Sequence, residues 1–171
     1  MNDNDRMKLL AIYLDDHWAG AGAGHQLARR LLRNNRRTGW VDQLSWLSDQ
    51  IESDERTLLQ LRRRLNLDGG KVKRALGIAG VRLSGLKPNG RLLAYSPLSR
   101  VLEAELMMSG VDAKKRLWAA LRSGQLMSAD FSGLDFAELE RRAEEQLTML
   151  SSFHEEASAL AFGPGQPDAG T

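Results

Sequence analysis

The chain has 171 residues, 42% of them hydrophobic, 27% charged and 6% aromatic, with four prolines; that is enough for one domain with a real core, and too apolar for a disordered chain. It has no cysteine, which excludes a disulfide framework, a thiolate metal site and a cysteine nucleophile. Formal charge is only +2, yet residues 29–100 carry sixteen Lys/Arg against six Asp/Glu, while residues 131–171 carry two against eight.

The first residues, MNDNDRMK, are polar and mixed in charge, unlike a signal peptide. No apolar run approaches the roughly 18 residues needed to span a bilayer. The expectation is a soluble, cytoplasmic protein with no membrane partner.

A first helix is predicted from about Asp5 to Arg37, capped by Asp3 or Asn4. Met7, Leu10, Leu14, His17, Ala21, Gly24, Ala28 and Leu31 recur alternately three and four residues apart, an uninterrupted seam. Thr38-Gly39 then makes a short turn, which predicts a second helix lying antiparallel to the first. That helix runs from about Trp40 to Asn66 on the seam Leu44, Leu47, Ile51, Asp54, Leu58, Leu61 and Leu65, and Asp68-Gly69-Gly70 ends it. Val72, Ala75, Leu76, Ala79, Leu83 and Leu86 fit a shorter helix weakened by Gly77, Gly80 and Gly85, and Lys87-Pro88-Asn89-Gly90 is a turn. Ser96-Pro97 starts a third long helix: serine caps it, and proline at the first helical position misses no hydrogen bond. It extends to about Ser123 on the stripe Leu98, Val101, Leu102, Met108, Val111, Trp118 and Leu121, with Glu105 mid-stripe and Gly110 as a kink or break. The fourth helix spans about Leu134 to Ala161, with Phe136, Leu139, Ala143, Gln146, Leu150, Phe153, Ala157 and Leu160 facing inward.

Four long amphipathic helices bury their stripes only by packing on one another. The fold class is therefore all-α: an antiparallel four-helix bundle with a short additional helix in the helix 2–3 connection. That connection, roughly 30 residues, is either a crossover as in ferritin-like topology or a short helix capping one end. Residues 1–162 form a single helical-bundle domain and 163–171 a disordered tail.

Each long helix sets a polar residue at or beside its seam: His17, Asp54, Glu105, and Gln146 with His154 nearby. Buried ionisable groups are costly unless paired or bound to metal. His17, Asp54, Glu105 and His154 are thus candidate ligands for iron, manganese or zinc, against the plainer reading as ion pairs that set helix register. A rise of about 1.5 Å per residue separates them into two pairs, His17 with Asp54 and Glu105 with His154, instead of one four-helix site. The stretch AGAGAG (residues 19–24) matches neither G-x-G-x-x-G nor a Walker A loop, and no strand precedes it. Gly20, Gly22 and Gly24 each cost about 1 kcal/mol against alanine in a helix. Either a neighbouring helix packs close against them, or they open space beside His17 for a small ligand. His17, Gly20, Gly24 and Asp54 are the candidate ligand-binding residues. Arg29, Arg30, Arg33, Arg36 and Arg37 could meet nucleic-acid phosphates, but basic residues at a helix C-terminus also complement its dipole. Trp18, Trp40, Trp46, Trp118 and the Met107-Met108 pair read as packing, and no nucleophile elbow is present.

The run LKPNGRLLAYSPLSRVLE (residues 86–103), the segment GVDAKKRLW (110–118) and the pattern Tyr13-Leu-Asp-Asp-His17 resemble an uncharacterised family of small bacterial all-helical proteins. The resemblance covers nearly the whole chain except the tail and implies a helical fold, with no assigned activity. Such relatives are expected to carry glutamate where this chain has Gln26. The chain is also loosely similar to ferritin-like proteins, but it lacks their repeated Glu-x-x-His pair, so ferroxidase activity is not carried over. The functional expectation is a protein-interaction or small-ligand-binding module without catalysis and with no cofactor. Its partners would be an unidentified protein, a small ligand or further copies of the chain. The alternatives are a ferritin-like metal-binding protein and a nucleic-acid-associated basic protein.

Overall fold

The computed structural model describes residues 2–67, 95–124, 131 and 133–164. Among them are four helices and no strand: α1 (Asp3–Asn34), α2 (Val41–Arg64), α3 (Pro97–Ser123) and α4 (Phe136–Phe162). The expected short helix over 72–86, its flanking turns and most of the tail lie outside the described residues.

Local chemistry sets the helix ends. Asn2 Oδ1 accepts the Asp5 N–H at 2.8 Å, a little upstream of the expected cap, and Asp3 and Asp5 place negative charge on the first turn. Ser96 and Ser99 cap reciprocally, each side chain accepting the other's backbone N–H (3.2 and 3.4 Å), and Pro97 opens α3 as expected. Gly110 does not interrupt α3. Asp135 accepts the Glu138 N–H at 3.0 Å and starts α4. Between α1 and α2, the Thr38 hydroxyl donates to the Asn35 carbonyl at 2.9 Å and accepts the Trp40 N–H at 3.3 Å. Buried Asn35 in turn donates to the Leu31 carbonyl and, at 3.2 Å, to the Tyr95 hydroxyl. One side chain therefore ties the α1–α2 link to the approach to α3.

Helix α3 packs most extensively on α4, α1 packs on α2 and α3, and α2 touches α4. The core falls into two clusters. One includes Leu27, Leu31, Leu44, Leu47, Met107, Leu150 and Phe153. The other includes Leu14, Leu58, Leu61, Leu117, Trp118, Leu121 and Leu139. The α2 and α4 seams are buried much as the spacing predicts, although Leu160 ends its seam exposed. On α3 the buried stripe is Val101, Ala104, Met107, Val111, Trp118 and Leu121, with Glu103 buried inside it. Glu105, expected mid-stripe, is instead exposed. No helix of the described residues is long and apolar enough to cross a membrane.

The α1 register is testable with two leucines of identical size. Leu14 is fully buried and Leu9 is 57% exposed. Leu14→Ala is expected to cost about 2–5 kcal/mol and Leu9→Ala less than about 0.5 kcal/mol, read from urea unfolding. Equal costs would mean that α1 buries a different face.

Candidate functional site

Asp54 sits on α2 between Ile51 and Leu58 and is almost fully buried. A carboxylate there needs partners, and α3 and α4 supply them. Lys114 Nζ lies 2.6 Å from Oδ2, and Gln146 Nε2 donates to the same oxygen at 3.1 Å. Arg142 Nη2 lies 3.0 Å from Oδ1. Lys114 also donates to Gln146 Oε1 at 2.5 Å, and Arg142 Nε to Gln50 Oε1 at 2.9 Å. Two cations thus face one carboxylate. Burial pushes the Lys114 ammonium below its ordinary range; Asp54 pulls the other way, and Arg142 repels in the same sense as burial.

At this level α1 offers glycines instead of charges, and a cavity of about 700 Å³ lies among α1, α2 and α3. Its α1 wall includes Tyr13, His17, Gly20 and Gly24; its α2 wall Ile51, Asp54, Glu55 and Leu58; its α3 wall Met107, Gly110, Lys114 and Trp118. Among the described residues, a Cβ built on Gly20 or Gly110 would meet nothing within 4 Å, and one on Gly24 only the Met107 methyl at 4.0 Å. None of the described helices packs close against Gly20. Exposed Gly20 and Gly110 both line the space, which opens between α1 and α3.

His17 meets Tyr13 edge to face, ring centroids 4.7 Å apart. Burial lowers its pKa below the ordinary 6.5, partly offset by Asp16, so the imidazole lining the cavity is neutral at neutral pH. Trp118 is buried, and its indole N–H has no acceptor among the described residues.

All four candidate ligand-binding residues, His17, Gly20, Gly24 and Asp54, line this one cavity. The four candidate metal ligands are not brought together. Glu105 and His154 meet at 3.2 Å on the α3–α4 surface, whereas the contacts of Asp54 go to Lys114, Arg142 and Gln146, and the ring contact of His17 to Tyr13. Among the described residues no three His, Asp or Glu side chains converge as a metal site would require. Arg29, Arg30, Arg33, Arg36 and Arg37 are exposed, but Arg30 Nε is 2.6 Å from buried Glu103, which also accepts from the Tyr95 hydroxyl at 3.0 Å. Sequence reasoning missed Lys114 and Arg142. The signal for Lys114 was its spacing, three residues after Val111 and four before Trp118, together with the need of a seam aspartate for a cation.

No family model, curated protein or solved structure matches the chain.

Two measurements probe this site. Asp54→Asn leaves Lys114 and Arg142 facing each other without a counter-charge and is expected to cost about 3–5 kcal/mol. Lys114→Met leaves Asp54 paired with Arg142 and should cost clearly less; the reverse order in urea unfolding would contradict the cluster. His17 supplies the second. Its native pKa is lowered, so the unfolded chain binds more protons as pH falls through 6.5, and stability is lost on acidification from there towards the native pKa. His17→Gln should therefore lose less stability than the wild type between pH 7 and 5.

Proposed function

We propose that this chain is a small-ligand-binding helical bundle without catalysis, and that the ligand occupies the cavity among α1, α2 and α3. The observation that carries this reading is the space itself. Kept dry and closed, about 700 Å³ would cost on the order of 15 kcal/mol at about 24 cal/mol per Å³, as much as the whole stability of a domain. The cavity is therefore wet or filled. Its volume lies in the range of small-molecule pockets, about 300–1,000 Å³. Most of the lining side chains are apolar, and several ionisable groups are engaged with one another: Asp54 with Lys114 and Arg142, and Glu55 with His25 at 2.7 Å. Such a wall holds a molecule and does not turn it over.

The bundle that frames the cavity reads as antiparallel, with a ferritin-like crossover between α2 and α3. Descending residue pairs support this. Asp15–Arg62 and His25–Glu55 run in opposite senses on α1 and α2, as do Glu105–His154 and Arg122–Glu140 on α3 and α4. Arg30–Glu103 and the approach of Gly24 to Met107 do the same for α1 and α3. Helices α2 and α3 would then run parallel on the diagonal, which requires a connection as long as the bundle.

The test uses the fluorescent apolar probe N-phenylnaphthylamine. The wild type is expected to bind it saturably. The double variant Gly20→Leu/Gly110→Leu fills the mouth at two positions where a Cβ meets none of the described residues within 4 Å, so it should keep its helix content and lose at least about tenfold in affinity. Undiminished binding in that variant would place the ligand elsewhere, and an absence of binding in the wild type would remove the reading.

A further inference from the structure

The cavity wall carries three carboxylates, Asp16, Asp54 and Glu55, against one cation, Lys114. Asp54 is matched by Lys114, and by Arg142 from behind the wall. With Arg142 counted, three carboxylates still face two cations. Glu55 meets His25 Nδ1 through Oε2, at 2.7 Å, and none of the described residues donates to its Oε1. Asp16 is exposed, and no cation among the described residues pairs with it. Tyr13, Asp16, His17 and Gly20 share one face of α1 at spacings of three and four residues, and all of them line the cavity. Burial keeps the His17 imidazole neutral, so it does not repel a cation, and one ring nitrogen keeps a lone pair. A Cβ on Gly20 would meet none of the described residues within 4 Å, which leaves room beside Asp16 and His17. Beyond them the walls are apolar, with Leu27, Ile51, Leu58 and Met107, and from Tyr13 to Leu27 the α1 lining rises roughly 21 Å. Among the described residues no three His, Asp or Glu side chains converge, so these walls suit a cation with an apolar body and not a bare metal ion.

Resting on the ligand-binding reading above, we propose that the cavity takes an amphiphilic organic amine, its ammonium among Asp16, His17 and Tyr13 and its apolar body along the inner walls. An ammonium brings three donors and one positive charge. Asp16 supplies the counter-charge, the His17 nitrogen and the Tyr13 hydroxyl supply acceptors, and Glu55 adds a second negative charge further along the wall. A cleft with low-dielectric walls focuses the field of the charges that line it. An alcohol of the same length gains the walls without the field, and a carboxylic acid meets the field with the wrong sign.

The experiment compares decylamine, decanol and decanoate on the full-length chain at neutral pH, by displacement of N-phenylnaphthylamine and by calorimetry. The three share one tail and differ in the charge of the head. At low salt the ammonium should bind at least about fivefold more tightly than the alcohol, and the carboxylate more weakly than either. Raising the salt from about 0.01 M to about 1 M should shrink the advantage of the amine, because the screening length falls about tenfold. Asp16→Asn/Glu55→Gln removes both charges and keeps both shapes; in it the preference for the amine should fall to about unity while decanol binds as before. Asp16→Lys, at an exposed position, should carry the preference past unity towards decanoate. If the alcohol or the carboxylate binds the wild type as tightly as the amine, or if the double variant keeps the preference, the amine proposal is overturned and the cavity reading stands. If the dye and all three ligands fail to bind the wild type, both fall.

Discussion

Asp54 is the fixed point around which three of the four helices are arranged. Its two oxygens receive a lysine from α3 and an arginine and an amide from α4. The net stabilisation from such a cluster is small, because each charge must first be taken out of water. Its leverage is on register. A slide of one turn in α3 or α4 would leave a cation and a carboxylate buried apart, and that costs far more than a misfitted leucine. The apolar clusters on either side, one around Leu44 and Phe153 and the other around Leu61 and Trp118, are less discriminating, since leucines repack with modest loss. The polar layer chooses among the packings that the apolar layers would allow.

Helix α1 is attached on different terms. It contributes nothing to the Asp54 cluster, and glycine stands where it comes level with it. Ties along its length hold it instead. Asp15 accepts from nearly buried Arg62, whose guanidinium also lies 5.2 Å from the Trp18 ring centre. His25 meets Glu55, Arg30 meets Glu103, and Asn35 reaches Tyr95. With polar contacts spaced along the helix and leucines buried on either side of the glycines, Leu14 before them and Leu27 and Leu31 after, the middle of α1 need not close on α3. Gly20 and Gly24, at about 1 kcal/mol each in helix propensity, then line an opening, because the ties keep the helix from collapsing into the space. Part of the basic character of the sequence is spent here: Arg62, and Arg30 from the cluster that could meet phosphates, moor α1 through Asp15 and Glu103.

Helix positions were legible because two seams are unambiguous. On α2 and α4 the apolar residues fall on one stripe, interrupted by Asp54 and Gln146, so spacing alone identifies the buried face. Helix α3 is different. Leu98, Val101, Leu102, Leu106, Met107 and Met108 allow several stripes, and packing between α1 and α4 decides in favour of the one that buries Glu103 and exposes Glu105. Glu103 is tolerated because Arg30 and Tyr95 reach it, a tertiary fact that no local spacing contains. The site was half legible in the same way. Asp54 and Gln146 stood out as polar residues on apolar seams, and the glycines as a cost without a visible return. Lys114 and Arg142 did not stand out, because long cationic side chains look alike whether they reach into solvent or into a core.

The cavity and the ion cluster are best understood together. Lys114 and Asp54 both line the cavity, whereas the Trp118 indole N–H is closed off from it. A molecule that displaces water there gains from the apolar walls and lowers the dielectric around the Asp54–Lys114 pair. The same polar layer that sets helix register therefore forms one wall of the cavity, and Gly20 and Gly24 leave the room beside it.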